Sequence, residues 1–252
     1  MNIGYILGPA GSGKSHLTAS LYSWMNLVGL DVITLNLDPA VVRLPYAPDI
    51  DVRNFVDYNE LVEKYELGPN GGIIVAMDHV ALAIDDIIDE MRTFGAEYVL
   101  IDLPGQIETV AFRSSGSVII NELSRGNQMA GLFLIDPTLC LTASSFISVL
   151  LFGISINYRL KTPINYLISK SDLLSDERAT RINEWIENID FLYNDLNEES
   201  FILNSELSRK IAEIILLEEG LGEFPLVSAS TNKNMDIVFA SLQRNWNSDS
   251  IF

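Results

Sequence analysis

One cysteine, Cys140, stands alone in 252 residues. An internal disulfide is therefore excluded, and a lone thiol fits a reducing, cytoplasmic setting. Positive charge is scarce as well. Sixteen Lys and Arg face 34 Asp and Glu, for a net charge of −18. That balance argues against nucleic-acid binding and suits a partner with a basic face. The two histidines, His16 and His79, are far apart and have no cysteine at metal-ligand spacing, so neither suggests a zinc site. There is no internal repeat, no low-complexity block and no Pro/Gly/Ser linker, which favours a single domain over residues 1–252. Met1-Asn2 runs straight into an apolar strand, so no leader segment is expected.

Only one stretch raises the question of a membrane. From Pro137 to Tyr158 no residue is charged. Thr138, Thr142, Ser144, Ser145, Ser148, Ser155 and Asn157 interrupt it, however, and it follows a strand-like run ending before Asp136. It reads as a buried or partner-facing helix, with residues 138–160 a possible helical insertion, and no membrane association is expected.

With 48% hydrophobic and 20% charged residues, the chain can build a sizeable core. Short apolar runs bounded by turn signals occur at Ile3–Leu7, Val32–Leu37, Tyr98–Leu103, Gly131–Ile135, Ile164–Ile168 and Pro225–Val227. Helical periodicity intervenes at His16–Leu27, Tyr58–Tyr65, Ile74–Phe94, Thr142–Asn157, Asp176–Ile189, Glu206–Glu219 and Met235–Arg244. Asn194–Asn204 is polar and acidic and reads as a loop, and the 245–252 tail is expected to fray. Alternation of this kind predicts a three-layer, doubly wound α/β fold with a mainly parallel sheet. Ligands then gather at the carboxyl ends of the strands.

The first strand run leads into Gly8-Pro9-Ala10-Gly11-Ser12-Gly13-Lys14-Ser15, followed by His16 and a helix. This is G-x-x-x-x-G-K-[ST] in its proper setting. Glycines let backbone N–H groups curl around phosphates, Lys14 meets the terminal phosphates, and Ser15 offers its hydroxyl to Mg²⁺. The third strand run delivers Asp102, then Leu103-Pro104-Gly105-Gln106. Asp102 is placed to hold Mg²⁺ or its water shell, Gly105 to approach the γ-phosphate, and Gln106 to orient a water. Asn36-Leu37-Asp38-Pro39-Ala40 closes the second run, so Asp38 is a candidate for the attacking water or the Mg²⁺ shell, or a turn residue before Pro39. Asp51 and Arg53 could form an ion pair that orders this region, or a solvated pair.

Ser169-Lys170-Ser171-Asp172 follows the fifth strand run, and Ser228-Ala229-Ser230 follows the last. A carboxylate such as Asp172 accepts from guanine N1–H and N2–H₂ together, which adenine cannot offer, so GTP is favoured over ATP. The Lys170 stem can lie against the base plane. Leu67-Gly68-Pro69-Asn70-Gly71-Gly72 reads as a turn or as a functional loop, and residue physics leaves both open.

Taken in order, these segments make the chain resemble the GPN-loop GTPases, a dimeric branch of the phosphate-loop GTPases of archaea and eukaryotes. The resemblance rests on Gly8–Ser15, Asn36–Ala40, Asp49-Ile50-Asp51-Val52-Arg53, Gly68-Pro69-Asn70, Asp102–Glu108 and Ser169–Asp172, and it runs from Met1 to about Ala240. It implies GTP/GDP and Mg²⁺ as ligands, and a homodimer in which Pro69, Asn70 and Gly71 reach the phosphates held by the other subunit. Asn70 would then supply an amide to the phosphates where no arginine finger stands. It also implies slow hydrolysis suited to a switch, and a protein client such as RNA polymerase subunits. His16 and Arg43 depart from common family residues without removing a proposed ligand. Two other readings remain open. One is an ATPase or phosphate-loop kinase, and the other is a nucleotide-gated binding module in which hydrolysis only resets an assembly factor.

Overall fold

The computed structural model describes residues 1–199, 206, 210–214 and 223–247. Its centre is a six-stranded sheet: β1 (Asn2–Leu7), β2 (Val32–Asn36), β3 (Ile50–Asp51), β4 (Tyr98–Asp102), β5 (Gln128–Ile135) and β6 (Ile164–Ile168). The strand order is β3-β2-β4-β1-β5-β6, and every neighbouring pair is parallel. Parallel strands need helical crossovers, and those helices cover both faces, so the strands read as unbroken apolar runs.

Alternate residues of each strand face opposite layers. Ile3, Tyr5 and Leu7 of β1 join a large core with Val99 and Ile101 of β4 and Phe133 and Ile135 of β5. This face is covered by α2 (Tyr58–Lys64), α3 (Pro69–Leu82), α4 (Ile84–Phe94), α6 (Ser114–Ser124), α7 (Ala143–Leu160), α8 (Asp176–Glu187) and α9 (Ile189–Glu198), with the short α5 (Glu108–Ala111) leading into α6. Ile6, Leu100, Leu132 and Leu134 face the other way, against α1 (Lys14–Leu27) and the last helix, α10 (Met235–Asn247). The doubly wound α/β architecture expected from the sequence is present, and the sheet is wholly parallel.

Several boundaries differ for identifiable reasons. The single helix expected over Ile74–Phe94 is two helices, because Ala83 closes α3 and caps α4, and α3 begins earlier, at Pro69. Asn194–Asn204 is not a loop at its start. α9 continues to Glu198, because Asp195 is half-buried against Arg181 and the Trp185 indole, whose Nε1 donates to its Oδ2 at 2.7 Å, while 200–204 lie outside the described residues. Pro225–Val227 adds only a single bridge, Leu226 to Ile168, rather than a ladder strand. The two-residue β3 and the α5–α6 pair carry too few residues of one period to be read from sequence. Much of the helix expected over Glu206–Glu219 lies outside the described residues, but 210–214 are helical. α10 runs beyond Arg244, since Trp246 is buried and its indole donates to the Ile3 carbonyl at 3.1 Å. Residues 248–252 lie outside the described set.

The uncharged stretch is the β5–β6 crossover. α7 is long and apolar enough to cross a membrane, yet Phe146, Ile147, Leu150, Gly153, Ile156 and Leu160 form a stripe packed into the core. A capping box between Thr142 and Ser145 starts the helix, and Lys161, left-handed at φ 54°, ends it. At Gly153 the helix comes so close to the sheet that a Cβ would stand 2.6 Å from the Tyr166 ring and 3.1 Å from Phe133. Gly153→Val should therefore destabilise the protein by about 1–3 kcal/mol through overpacking. Urea denaturation checks this, and an unchanged midpoint would mean that α7 can lift off β6 at no cost.

Candidate nucleotide site

All the candidate motifs except one lie at the carboxyl ends of the strands. The phosphate loop leaves β1 and enters α1 at Lys14, with Gly13 as N-cap at φ 97°. Gly8 stands at φ 146°, and a side chain there would collide with Ser12 Oγ at 2.6 Å and the Leu134 carbonyl at 2.9 Å. Glycine is required on both counts. The Lys14 ammonium is buried and donates to the Gly8 and Pro9 carbonyls at 3.0 Å each. Burial lowers its pKa, against the pull of Asp102, Asp38 and Glu108. Ser12 Oγ is buried with no hydrogen-bond partner. Pro9 and Ala10 form the turn at the tip, and Gly11 and His16 border the adjoining cavity.

Asp102 ends β4 and is 1% exposed. Among the described residues its Oδ1 has no hydrogen-bond partner, and its Oδ2 accepts from the Tyr46 hydroxyl at 3.2 Å. Burial pushes its carboxyl up to about 6, with the Ser15 hydroxyl, Tyr46 and Lys14 pulling the other way. Asp38 is carried to the same place from β2. Its Oδ1 accepts from Ala40 N–H at 3.0 Å and its Oδ2 from Gly105 N–H at 3.4 Å, so two distant motifs meet there. Asn36 holds that segment: its Oδ1 accepts from Asp38 N–H at 3.0 Å, and its amide donates to the Asp38 carbonyl and to Asp51 Oδ1. Asp51 pairs in turn with Arg53, whose Nη1 donates to the Val41 carbonyl at 3.1 Å. The ion pair considered at Asp51 and Arg53 is thus tied into the loop that carries Asp38.

The hydroxyl of Ser15 and the carboxylates of Asp102 and Asp38 fit Mg²⁺, which binds through one or two carboxylates plus substrate phosphates. The orphaned, buried Oδ1 of Asp102 is the group that such a cation, or its water, would satisfy. Gln106 is exposed at the same rim, and its carbonyl accepts from Thr109 N–H and Oγ1.

The base end is a cavity of about 360 Å³ lined by Gly13, Leu134, Lys170, Asp172, Ala229 and Ser230, among others. Ser228, fully buried, donates its hydroxyl to Asp172 Oδ1 at 2.6 Å. Ser228 and Ser230 keep the Asp172 carboxyl below its ordinary range. Lys170 also faces the cavity. Ser169 lines the same cavity, and its hydroxyl donates to the Ile135 carbonyl at 3.2 Å, which ties β6 to β5. The serine found where related motifs carry asparagine has a structural partner of its own.

Pro69, Asn70 and Gly71 are the exception. They open α3, with Gly68 as N-cap, Pro69 in the first turn and Asn70 exposed. Among the described residues no hydrogen bond joins Asn70 to the chain's own phosphate loop. Gly72 has a packing reason, since a Cβ there would stand 2.6 Å from Val62 and 3.0 Å from Tyr58. Sequence reasoning missed Tyr46, Asn36 and Asp136. A tyrosine in an irregular segment carries no motif, and Asn36 opens a motif that gives it no role of its own, although a strand interior seldom tolerates an asparagine without partners.

A glycine-rich loop between strand and helix, facing a buried strand-end carboxylate, defines a phosphate-loop nucleotide-binding protein. A family profile described as "Conserved hypothetical ATP binding protein" matches residues 6–247. GPN-loop GTPase 1 of Dictyostelium discoideum is 30% identical over 216 residues, covering 85% of this chain and 53% of that protein. GPN-loop GTPase 2 of Danio rerio is 30% identical over 216 residues, covering 83% of this chain and 70% of that protein. A GTPase in apo form from Pyrococcus abyssi has a TM-score of 0.85 at 28% identity, with 98% of each chain covered. The chain belongs to the GPN-loop GTPase family. It spans 48–62% of the length of four of its curated relatives.

The raised Asp102 pKa has a stability consequence. Between the unfolded value of 3.8 and about 6 the folded state binds the proton more tightly, so stability falls as pH rises through that window. Asp102→Asn removes the buried charge. It should stabilise the ligand-free protein by about 1–3 kcal/mol at pH 8, with the gain shrinking toward pH 4. It should also lose tight Mg²⁺-nucleotide binding. Denaturation curves at the two pH values check the first point, and a variant no more stable at pH 8 would mean that Lys14 already offsets the charge.

Proposed function

We propose that this protein binds GTP with Mg²⁺ and hydrolyses it slowly, as a homodimeric molecular switch. The observation that carries the reading is the meeting of Lys14, Asp38, Asp102 and Gly105 beside a cavity containing Asp172 and Lys170. In the reaction, a water oxygen attacks the γ-phosphorus. The bond to the β–γ bridging oxygen breaks, its electron pair leaves with GDP, and the water proton ends on phosphate. Gln106 and Asp38 orient the water, and the backbone N–H groups of Gly11–Ser15 hold the phosphates. Lys14 meets negative charge in ground and transition states alike. Mg²⁺ on Ser15 and Asp102 would supply charge neutralisation on the phosphate oxygens. Gly105 N–H, engaged by Asp38 at 3.4 Å, is available to a γ-phosphate once that long bond is given up.

Guanine is the preferred base because the Asp172 carboxylate is held ionised and anchored by Ser228. The profile's description names ATP, but adenine offers no pair of donors to Asp172. Asp172→Asn should move affinity from guanine toward xanthine nucleotides, because an amide presents one donor to the xanthine carbonyl. Equal binding of ATP and GTP by the unaltered protein would sink the guanine assignment.

Asn70 acts in trans in this proposal, which is supported by its exposure at the start of α3. Loss of one donor to developing charge costs about 10²–10³ in rate. A mixed dimer of Asn70→Ala with Lys14→Ala subunits should keep one active site. A double-mutant subunit paired with unaltered protein should be slow. Equal turnover in the two arrangements would place Asn70 in cis or outside the reaction. The same proposal includes a cytoplasmic location, in keeping with the single buried thiol of Cys140, and a role in assembling a multisubunit complex such as RNA polymerase. Its test is whether the GTP- and GDP-loaded forms bind polymerase subunits differently.

A further inference from the structure

We propose that Asp136 is a positioning residue for base recognition, holding the Lys170 ammonium so that the lysine stem forms one fixed wall of the base cavity. This rests on the reading of that cavity as a guanine site and names a residue that no motif covers.

Asp136 follows the last residue of β5, and it is only 4% exposed. Its two oxygens are divided. Oδ1 accepts from Thr138 N–H at 2.9 Å and from Thr138 Oγ1 at 2.7 Å, which is the ordinary work of an aspartate opening a turn. Oδ2 accepts from Lys170 Nζ at 2.7 Å. Burial raises the carboxyl pKa, but Lys170 and Thr138 outweigh it and the net shift is downward. A turn aspartate needs no second partner and is usually solvated. Burying a carboxylate is costly unless a cation meets it, so the pair defines where the ammonium sits.

The other end of the pair points into the cavity. Lys170 is left-handed at φ 50°, a backbone conformation that is strained for a non-glycine residue and persists only where its surroundings over-determine it. Its Cε lies 3.8 Å from where a Cβ on Gly13 would stand, so the stem passes the phosphate loop on its way to Asp136. Lys170 lines the cavity together with Asp172 and Ala229. A free lysine has a flexible four-carbon stem and loses rotamer freedom on being ordered. Anchored by Asp136 before the nucleotide arrives, Lys170 loses that freedom on folding rather than on binding, and the gain appears as affinity.

A double-mutant cycle on the full chain tests this. GDP and ADP affinities are measured by titration calorimetry with Mg²⁺ for the unaltered protein, Asp136→Asn, Lys170→Met and the double variant. Asp136→Asn keeps the acceptor for Thr138 and removes the charge, so it should weaken GDP about tenfold. In the Lys170→Met background the same change should cost less than about twofold, because contacting residues couple while independent ones add. A merely structural role would give the same loss in both backgrounds, and that result, or an unchanged GDP affinity, overturns the proposal. Equal GDP and ADP binding by the unaltered protein overturns the guanine reading alone, and the cycle on GDP still decides Asp136. If Asp136→Asn does not fold, ¹⁵N spectra of the lysine ammonium groups decide instead. The signal that Lys170→Met removes should show slowed hydrogen exchange without nucleotide, whereas exchange as fast as at surface lysines overturns the proposal.

Discussion

Charges leave water at the carboxyl end of this sheet, and much of the local structure is arranged around that fact. Lys14 is 6% and Asp102 1% exposed, and Asp38 sits beside them. Each alone would be expensive to bury. Together they pull one another's titration in opposite directions, but the balance is incomplete: burial still raises both carboxyls and lowers the lysine. Ser12 Oγ and Asp102 Oδ1 are left with no partner in the same place. A region with this many unsatisfied polar groups is stabilised by a ligand that brings negative phosphate oxygens and a cation at once.

The loop from Asp38 to Asp49 is coupled to that centre by polar links rather than by packing. Asn36, itself held by Asp51, binds its start, Arg53 holds the Val41 carbonyl, and Tyr46 reaches Asp102. At its end, Asp49 Oδ2 accepts from Thr34 N–H and Oγ1 at 2.7 and 2.9 Å. Val42, by contrast, is 95% exposed. A segment tied at a few hydrogen bonds and exposed between them can rearrange without disturbing the core. Two of those ties end on groups that a nucleotide would engage, and in the proposed switch they are the route from ligand state to the surface.

The legibility of the chain follows the same division. Strands buried on both faces announce themselves as apolar runs, and several of those runs close on a polar residue that emerges at the site, as at Asp102, Asp136 and Ser169. That is why the architecture could be read from the sequence, along with most of the candidate residues that the fold gathers at the strand ends. Elements shorter than one period could not: β3 has two residues and α5 four. Residues that act through a neighbour were also hidden. Asp136 looks like any aspartate before a proline until the fold brings Lys170 to it, 34 positions away. The start of Asn194–Asn204 misled because charged composition suggested solvent, whereas Asp195 faces Arg181 and Trp185.

The two ends of the site are prepared differently, and the difference bears on specificity. At the base end the recognising groups already have partners: Asp172 with Ser228, Lys170 with Asp136. If guanine is the base read here, as proposed, a nucleotide with the wrong base meets acceptors already held in place that it cannot satisfy. At the phosphate end the groups are held apart from their eventual targets, Lys14 on loop carbonyls and Gly105 on Asp38. Binding must break those contacts, and phosphates common to all nucleoside triphosphates supply the energy. In a chain of net charge −18 the anion is met locally, by Lys14 and the N-terminal end of α1, instead of by a basic surface. In the proposed function, selectivity is built into the folded protein, while the change of state is left to the phosphates that differ between the triphosphate and diphosphate forms.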